Sequence, residues 1–165
     1  MTDVNTTAGQ PGGLSPHSAD LSTGEVIVSS QPGAPFKQLV RTGTHHLVAD
    51  EPIDVGGGDA GPNPYDYLLA ALGSCTSMTL RLYADRKGWP LEGVVIALRH
   101  ERLHVRDCVD CETGVTAMER IHLNIVLHGA LDEEQRSRLL DIANKCPVHR
   151  TLTGKMQIVT TIAPA

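Results

Sequence analysis

Four cysteines are the residues of this chain best suited to chemistry, namely Cys75, Cys108, Cys111 and Cys146. A thiolate is a nucleophile, a metal ligand and a redox centre, whereas a buried thiol packs like a small apolar side chain. Structural disulfides are disfavoured in a reducing compartment, so these residues are expected to be buried thiols, metal ligands or redox-active thiols. The residues around each cysteine help to decide among these three roles.

Cys75 lies within an apolar segment, Ala70-Ala71-Leu72-Gly73-Ser74-Cys75-Thr76. Two interpretations stay open for it. It is either a small core residue or a reactive thiol, and the second role requires a nearby cation and some exposure. Gly73 and Ser74 leave space around the sulfur, which permits the reactive role without requiring it.

Cys146 precedes a proline and two basic residues, in Lys145-Cys146-Pro147-Val148-His149-Arg150. Pro147 fixes the turn, and a short helix after it would point its first N–H groups toward the thiol. Arg150 or Lys145 would favour a thiolate if their side chains turned inward. Taken alone, this segment favours a reactive role only weakly.

Cys108 and Cys111 form a C-x-x-C pair in a polar loop. A tetrahedral zinc site needs four ligands, and this pair supplies two. His104 and a distant histidine, or a second copy of the chain, could complete a site; otherwise the pair is a loop dithiol or incidental. The eight histidines form no H-x-x-x-H or H-E-x-x-H pattern on a predicted helix; His100 and His104 are four apart, but they lie on a predicted strand, where they share a face. We expect no metal site here, and we expect Cys108 and Cys111 to be dispensable for the activity of the protein.

One long helix is predicted to carry Cys75. Asn63 is a favoured N-cap, Pro64 suits the first helical position, and Asp66 lies at the positive end of the helix dipole. The helix is expected to end near Lys87-Gly88. Its stretch Leu68–Leu82 is apolar on most sides, which is typical of a central, buried helix. A single chain of 165 residues offers few elements to cover it, so the pattern predicts a homodimer.

The remaining elements give an α+β order of strands, helix, strands, helix and strand. Residues 1–22 are predicted to be a disordered leader, and residues 23–165 a single domain. A helix is expected from Asp132, and a short helical turn over Val148–Leu152. Strands are predicted at Glu25–Ser30, Lys37–Thr42, His45–Asp50, Leu91–His104, Arg120–His128 and Met156–Ile162.

Composition excludes several classes of partner. Aromatic residues are 3% of the chain, too few for base stacking, and 14 Lys and Arg against 19 Asp and Glu give a net charge of −5. That balance argues against binding nucleic acid through its phosphates. No apolar run reaches the roughly 18 residues of a membrane span, and the first 22 residues lack signal-peptide order. We therefore expect a cytoplasmic protein with no nucleic-acid or membrane partner.

Three segments together resemble the OsmC/Ohr family of thiol peroxidases. They are Asp50-Glu51-Pro52, Gly61–Thr79 and Lys145-Cys146-Pro147-Val148-His149. The likeness covers roughly residues 25 to 163, and it is strongest to the OsmC-like branch that carries the Asp-Glu-Pro segment. It implies an OsmC-like fold, with antiparallel sheets around a long buried central helix in an intertwined homodimer, and active sites at the interface.

The resemblance also implies a mechanism and an oxidative-stress role. Cys75 would attack an organic hydroperoxide and become a sulfenic acid, and Cys146 would condense with it to a disulfide. An external thiol reductant would reopen the disulfide, and no cofactor is required. An alternative is a non-peroxidatic OsmC-fold protein that binds a small apolar ligand at the dimer interface.

The family also uses an arginine and a glutamate to polarise the thiolate and the peroxide. Arg41, on the N-terminal strands, is the candidate arginine, and a solvated arginine on a strand is the alternative interpretation. The family glutamate falls two residues after Asn63, where this chain has Tyr65; Glu51 or Asp66 is the candidate replacement, and Asp66 could equally be a helix cap. Candidate substrate-binding or pocket residues are Tyr65, Leu68, Leu72, Met78 and Met118, although core packing is the more usual role for the four apolar ones.

Overall fold

The computed structural model describes residues 24–104 and 117–164. Within these ranges, residues 24–62 with 159–164 form one compact unit, and residues 63–158 contain the other. The predicted leader of residues 1–22, together with Cys108 and Cys111, lies outside the described residues. The roles assigned to that pair stay predictions.

The first unit is built on a three-stranded antiparallel sheet. Its strands are β1 (Ile27–Gln31), β2 (Ala34–Thr42) and β3 (His45–Ala49), in the order β1-β2-β3. Tight turns join them, and Gly33 and Gly43 take φ values of 77° and 54°, a region that favours glycine. The three strands predicted in this region are confirmed, with small shifts at their ends.

The second unit contains the predicted long helix, α1 (Pro64–Lys87). Its first turn is closed by reciprocal hydrogen bonds: Asp66 N–H donates to Asn63 Oδ1 at 3.0 Å, and Asn63 N–H donates to Asp66 Oδ2 at 3.1 Å. Gly88 ends the helix with a φ of 63°. The buried face of the helix consists of Leu72, Gly73, Thr76, Leu80 and Ala84.

A two-stranded antiparallel sheet packs against α1. It pairs β4 (Gly93–His104) with β5 (Ala117–His128), in a register that places Leu98 opposite Leu123. Apolar residues alternate along both strands, so one face of this hairpin is apolar. Gly73 allows close approach, because a Cβ there would lie 2.8 Å from Leu98 Cδ1. Gly73 therefore serves helix-to-sheet packing in addition to leaving space near Cys75.

Two shorter helices complete the second unit, α2 (Glu133–Ala143) and α3 (Pro147–Thr153). Both agree with the predicted positions. The core between α1 and α2 is aliphatic, as the low aromatic content requires, and consists of Leu80, Ala84, Leu91, Leu131, Leu139 and Ala143. Arg136 fixes the turn before α2, since its guanidinium donates to the carbonyl oxygens of Leu127, Gly129 and Leu131.

The strand predicted at Met156–Ile162 is wrong. Residues 155–164 have no regular secondary structure and are exposed, with Ile158 79% and Ile162 98% exposed. A strand needs a neighbour to complete its hydrogen bonds, and the described part of this chain places none beside the segment. The alternation of apolar residues is real, but nothing in the described chain covers them.

Part of α1 is also uncovered within one chain. Met78 is 70% exposed and Leu82 is 52% exposed, on the side of the helix away from Leu80 and Ala84. Among the described residues, no helix is both long and apolar enough to cross a membrane.

Candidate functional site

The two cysteines of the family motifs lie in the second unit, where α3 contacts α1. Cys75 is half-buried on α1, and Cys146 is completely buried at the N-cap of α3. Both are free thiols. The helix and the Cys-Pro turn predicted from sequence therefore place both thiols at contacting elements.

The sulfur of Cys146 has two hydrogen-bond partners. The backbone N–H of His149 donates to Cys146 Sγ at 3.3 Å, as expected for a cysteine that caps a helix. The Oγ1 atom of Thr76 also lies 3.3 Å from this sulfur, and either group can donate. Thr76 directly follows Cys75, so the Cys146 sulfur lies against the turn of α1 that carries Cys75.

His149 places a ring nitrogen in the interior near this turn. Its Nδ1 atom is buried and has no hydrogen-bond partner among the described residues. A buried polar atom without a partner costs free energy, and such atoms commonly mark a strained position, a redox or catalytic role, or a place for a water or an ion. The nitrogen belongs to the residue whose backbone N–H holds the Cys146 sulfur.

The backbone at Cys75 is fixed by a side chain one turn further along α1. Thr79 Oγ1 donates to the carbonyl oxygen of Cys75 at 2.7 Å. Ser74 is exposed, and its hydroxyl donates to the carbonyl oxygen of Ala71. The Cys75 side chain therefore projects from a regular, well-bonded part of the helix.

Tyr65, in the first turn of α1, stacks on His100 of β4. The two ring centroids are 4.4 Å apart, with 20° between the ring planes. His100 Nε2 is 2.6 Å from Glu119 Oε2 on β5, so the first turn of α1 is joined to both strands of the hairpin. Tyr65 remains 51% exposed, which leaves much of the ring accessible.

The remaining substrate-binding candidates differ in exposure. Leu68 is half-buried, and Leu72 is a core residue at 2% exposure. Met78 on α1 and Met118 on β5 are exposed, at 70% and 38%. Tyr65, Leu68, Leu72, Cys75 and Met78 follow one another at spacings of three or four, so they form a continuous row along α1.

The two carboxylate candidates have different surroundings. The Asp66 carboxylate is engaged in the cap of α1, where it accepts from Asn63 N–H. Glu51 follows β3 in the first unit and is half-buried. Its position is set by Asp50, whose Oδ1 accepts the Glu51 N–H at 2.9 Å.

Asp50 organises the glycine-rich segment around Glu51. It is 4% exposed, and its Oδ2 accepts the N–H groups of Gly58 at 3.0 Å and Ala60 at 3.2 Å. Burial alone would raise the pKa of Asp50, but these N–H donors and the charge of Lys37 outweigh it and hold the pKa below its ordinary value. A Cβ at Gly57 would collide with the Glu51 carbonyl, so this loop requires glycine.

Arg41 lies on β2, opposite Ile27 of β1 and His46 of β3. It is half-buried and lines a cavity of 280 Å³ on its sheet, with Leu39, Val48 and the two residues opposite it among the other lining residues. The cavity is mostly apolar with one guanidinium. Arg41 and Glu51 both belong to the first unit, and Cys75 and Cys146 to the second.

Two residues that organise these segments were not predicted from the sequence. Thr76 had a signal, since a hydroxyl in the apolar face of a helix needs a buried partner. Asp50 also had one, because an aspartate before a glycine-rich loop commonly accepts loop N–H groups. Among residues 24–104 and 117–164, no group of three or more His, Cys, Asp or Glu side chains could hold a metal ion.

The fold and the paired thiols define an α+β protein with two motif cysteines at a helix contact. The family model of the OsmC-like proteins matches residues 56–161, more than half of the chain. The chain therefore belongs to the OsmC-like protein family, as the sequence motifs predicted. Comparison with curated proteins found no significant match.

Solved structures agree with this fold. The chain is similar to an OsmC-like protein from Mycoplasma pneumoniae, with 20% identity, a TM-score of 0.62, and coverage of 82% of this chain and 90% of that chain. It is similar to an organic hydroperoxide resistance protein, OsmC, from Legionella pneumophila, with 18% identity, a TM-score of 0.58, and coverage of 81% and 93%. It is also similar to the organic hydroperoxide resistance protein OhrB of Bacillus subtilis, with 17% identity and a TM-score of 0.56. That match covers 79% of this chain and 90% of that chain.

Proposed function

We propose that this protein is a thiol-dependent peroxidase that reduces organic hydroperoxides through a Cys75/Cys146 couple, in defence against oxidative stress. The observation that carries the proposal is the 3.3 Å contact between Cys146 Sγ and Thr76, the residue after Cys75. Two thiols on adjoining helices suit a reaction that ends in a disulfide. The names of the relatives from Legionella pneumophila and Bacillus subtilis support hydroperoxide as the substrate class.

In the first step, the Cys75 thiolate attacks the terminal oxygen of the hydroperoxide. The O–O bond breaks as the S–O bond forms, so sulfur is oxidised to a sulfenic acid and the peroxide leaves as an alcohol after protonation. Cys75 is suited to this step because it is half-buried, whereas Cys146 is inaccessible.

In the second step, the sulfur of Cys146 attacks the sulfenic sulfur of Cys75. The S–S bond forms while the S–O bond breaks, and the hydroxide leaves as water with the proton of the Cys146 thiol. An external thiol then reduces the disulfide by two successive exchanges and returns both cysteines to thiols. We place the protein in the cytoplasm because this cycle needs a supply of thiol reductant.

We assign polarisation of the reacting groups to Arg41 and Glu51. A guanidinium stabilises both a thiolate and the developing alkoxide, and a carboxylate fixes the orientation of the guanidinium. Glu51 is preferred to Asp66 because the Asp66 carboxylate is engaged in the helix cap. No cofactor enters the reaction.

The organic part of the peroxide is assigned to the row of side chains along α1. Leu68, Leu72, Cys75 and Met78 are successive neighbours on the helix surface, and Tyr65 extends the row by one turn. Tyr65 and Met78 are the exposed members and would contact the substrate first. Leu68 and Leu72 lie between them and would form the apolar floor.

We also propose that the working form is a homodimer. Met78 and Leu82 share one face of α1 and are 70% and 52% exposed in a single chain. Two large apolar residues exposed together on one helix face are typical of a surface that a partner covers. A second copy of the chain is the partner that the family resemblance implies.

Peroxide consumption tests the proposal. Purified protein is given tert-butyl hydroperoxide and a dithiol reductant, and the loss of peroxide is measured. Cys75→Ser should abolish turnover, and Cys146→Ser should permit one oxidation and then stall. If Cys75→Ser keeps wild-type turnover, the assignment is wrong; if the wild type consumes no peroxide, the ligand-binding alternative replaces it.

A further inference from the structure

Thr76 is a buried polar residue on an otherwise apolar helix face. It is 0% exposed, and its companions on the buried face of α1 are Leu72, Gly73, Leu80 and Ala84. Burying a hydroxyl is unfavourable unless the hydroxyl has a hydrogen-bond partner. The partner here is the Cys146 sulfur, at 3.3 Å. The contact joins residues 70 positions apart in the sequence.

The sulfur is held from two helices at once. Thr76 contacts it from α1, and the His149 N–H contacts it from α3, also at 3.3 Å. Two contacts in different directions select one rotamer of a side chain that otherwise has three. The selected rotamer directs the sulfur at α1.

The position of Thr76 on the helix adds a second constraint. Consecutive residues of an α-helix are about 100° apart around its axis and 1.5 Å apart along it. A sulfur held against Thr76 is therefore beside Cys75 without facing it directly. Because Cys146 is completely buried, its sulfur reacts with a group supplied by the protein far more readily than with a reagent from solvent.

We infer that Thr76 is a positioning residue, whose hydroxyl holds the Cys146 sulfur beside Cys75 for disulfide closure. This inference rests on the proposed function. In the step concerned, the Cys146 sulfur attacks the sulfenic sulfur of Cys75, the S–S bond forms, the S–O bond breaks, and water leaves with the Cys146 proton. Thr76 takes no part in the bond changes.

Loss of the Thr76 hydroxyl has a kinetic consequence. Without the hydroxyl, the Cys146 sulfur is distributed over several rotamers, and closure slows. The sulfenic acid then survives longer, and a second molecule of hydroperoxide oxidises it to a sulfinic acid that thiols do not reverse. Oxidation of Cys75 by the first peroxide does not involve Cys146 and keeps its rate.

The test compares Thr76→Val, which removes the hydroxyl at nearly constant shape, with Thr76→Ser, which keeps it. Thr151→Val is the matched control, since the Thr151 hydroxyl donates to the carbonyl oxygen of Pro147 within α3. Reduced full-length protein is mixed with tert-butyl hydroperoxide and quenched with an alkylating reagent. Mass spectrometry then counts the disulfide, sulfenic and sulfinic forms over time.

Thr76→Val should close its disulfide about tenfold more slowly, a size typical of losing one hydrogen bond. It should also accumulate more sulfinic acid, with an unchanged rate of first oxidation. Thr76→Ser and Thr151→Val should close within about threefold of the wild type, since each keeps the hydrogen bond to the sulfur. Thr76→Ala gives the same comparison if the valine variant does not fold.

Closure at the wild-type rate in both Thr76→Val and Thr76→Ala would overturn the inference. So would Thr76→Ser closing as slowly as Thr76→Val, because the methyl group rather than the hydroxyl would then matter. A wild type that forms no Cys75–Cys146 disulfide would instead refute the proposed function, and the inference with it.

Discussion

Tyr65 and His100 stack at a centroid distance of 4.4 Å, and this contact joins the first turn of α1 to β4. The Tyr65 ring therefore has a packing role between α1 and the hairpin. His100 also contacts Glu119, so the contact continues to β5. Tyr65 is both a structural link and a candidate substrate contact, and the two roles are separable by substitution.

Tyr65→Phe should keep the stacking, whereas Tyr65→Ala should lose it. In a double-mutant cycle with His100→Ala, we expect a coupling free energy of about 0.5–1.5 kcal/mol, the range for ring pairs in contact. Urea unfolding at fixed protein concentration measures it. A coupling energy near zero would show that the stack does not stabilise the fold.

Asp50 should make the first unit sensitive to acid. Its folded pKa is depressed, so it stabilises the folded state above the unfolded value of about 3.9 and loses that contribution as pH falls through the folded value. Asp50→Asn should be less stable than the wild type at pH 7, and the difference should shrink on acidification. Unfolding midpoints at pH 7 and in the acid range measure both effects.

Asp54→Asn is the matched control for Asp50, because Asp54 is an exposed carboxylate of the same loop. It should leave the midpoint at pH 7 nearly unchanged. An equal loss of stability in both variants would contradict the role of Asp50 as the organiser of the loop.

Charge on the exposed face of α1 should break the proposed dimer. Met78→Glu and Leu82→Glu each place a carboxylate where a second copy is expected to pack, which is costly without a partner charge. Light scattering at micromolar concentration should give the dimer mass for the wild type and a mass near the 17.7 kDa monomer for the variants.

Leu140→Glu serves as a control, since Leu140 is a 60% exposed leucine on α2. It should leave the mass unchanged. A wild type that scatters as a monomer at micromolar concentration would refute the dimer, whatever the variants do.

Cys108 and Cys111 should be dispensable for peroxide reduction. Two thiols are half the ligands of a zinc site, so we expect them to be free, or joined in an easily reduced disulfide. The Cys108→Ser/Cys111→Ser variant should keep wild-type turnover. Stoichiometric zinc in protein purified without chelator, or a large loss of activity in this variant, would move the functional site to the loop.

The sequence alone determined most of the local elements and indicated the two cysteine motifs. Asn63, Pro64 and Gly88 mark the ends of α1 because caps act within one turn, and the alternation of apolar residues marks β4 and β5. The order of the two cysteine motifs was sufficient to indicate the family. Each cap, each strand pattern and each single cysteine motif involves residues close together in the chain.

The tertiary structure alone decided which distant groups meet. No local pattern places Thr76 against Cys146, Tyr65 against His100 or Gly73 against Leu98, because each contact depends on how two elements pack. The same limit explains the wrong strand at Met156–Ile162. Its alternation was correctly identified, but a strand also needs a neighbour, and the pattern of one segment carries no information about whether the fold supplies one.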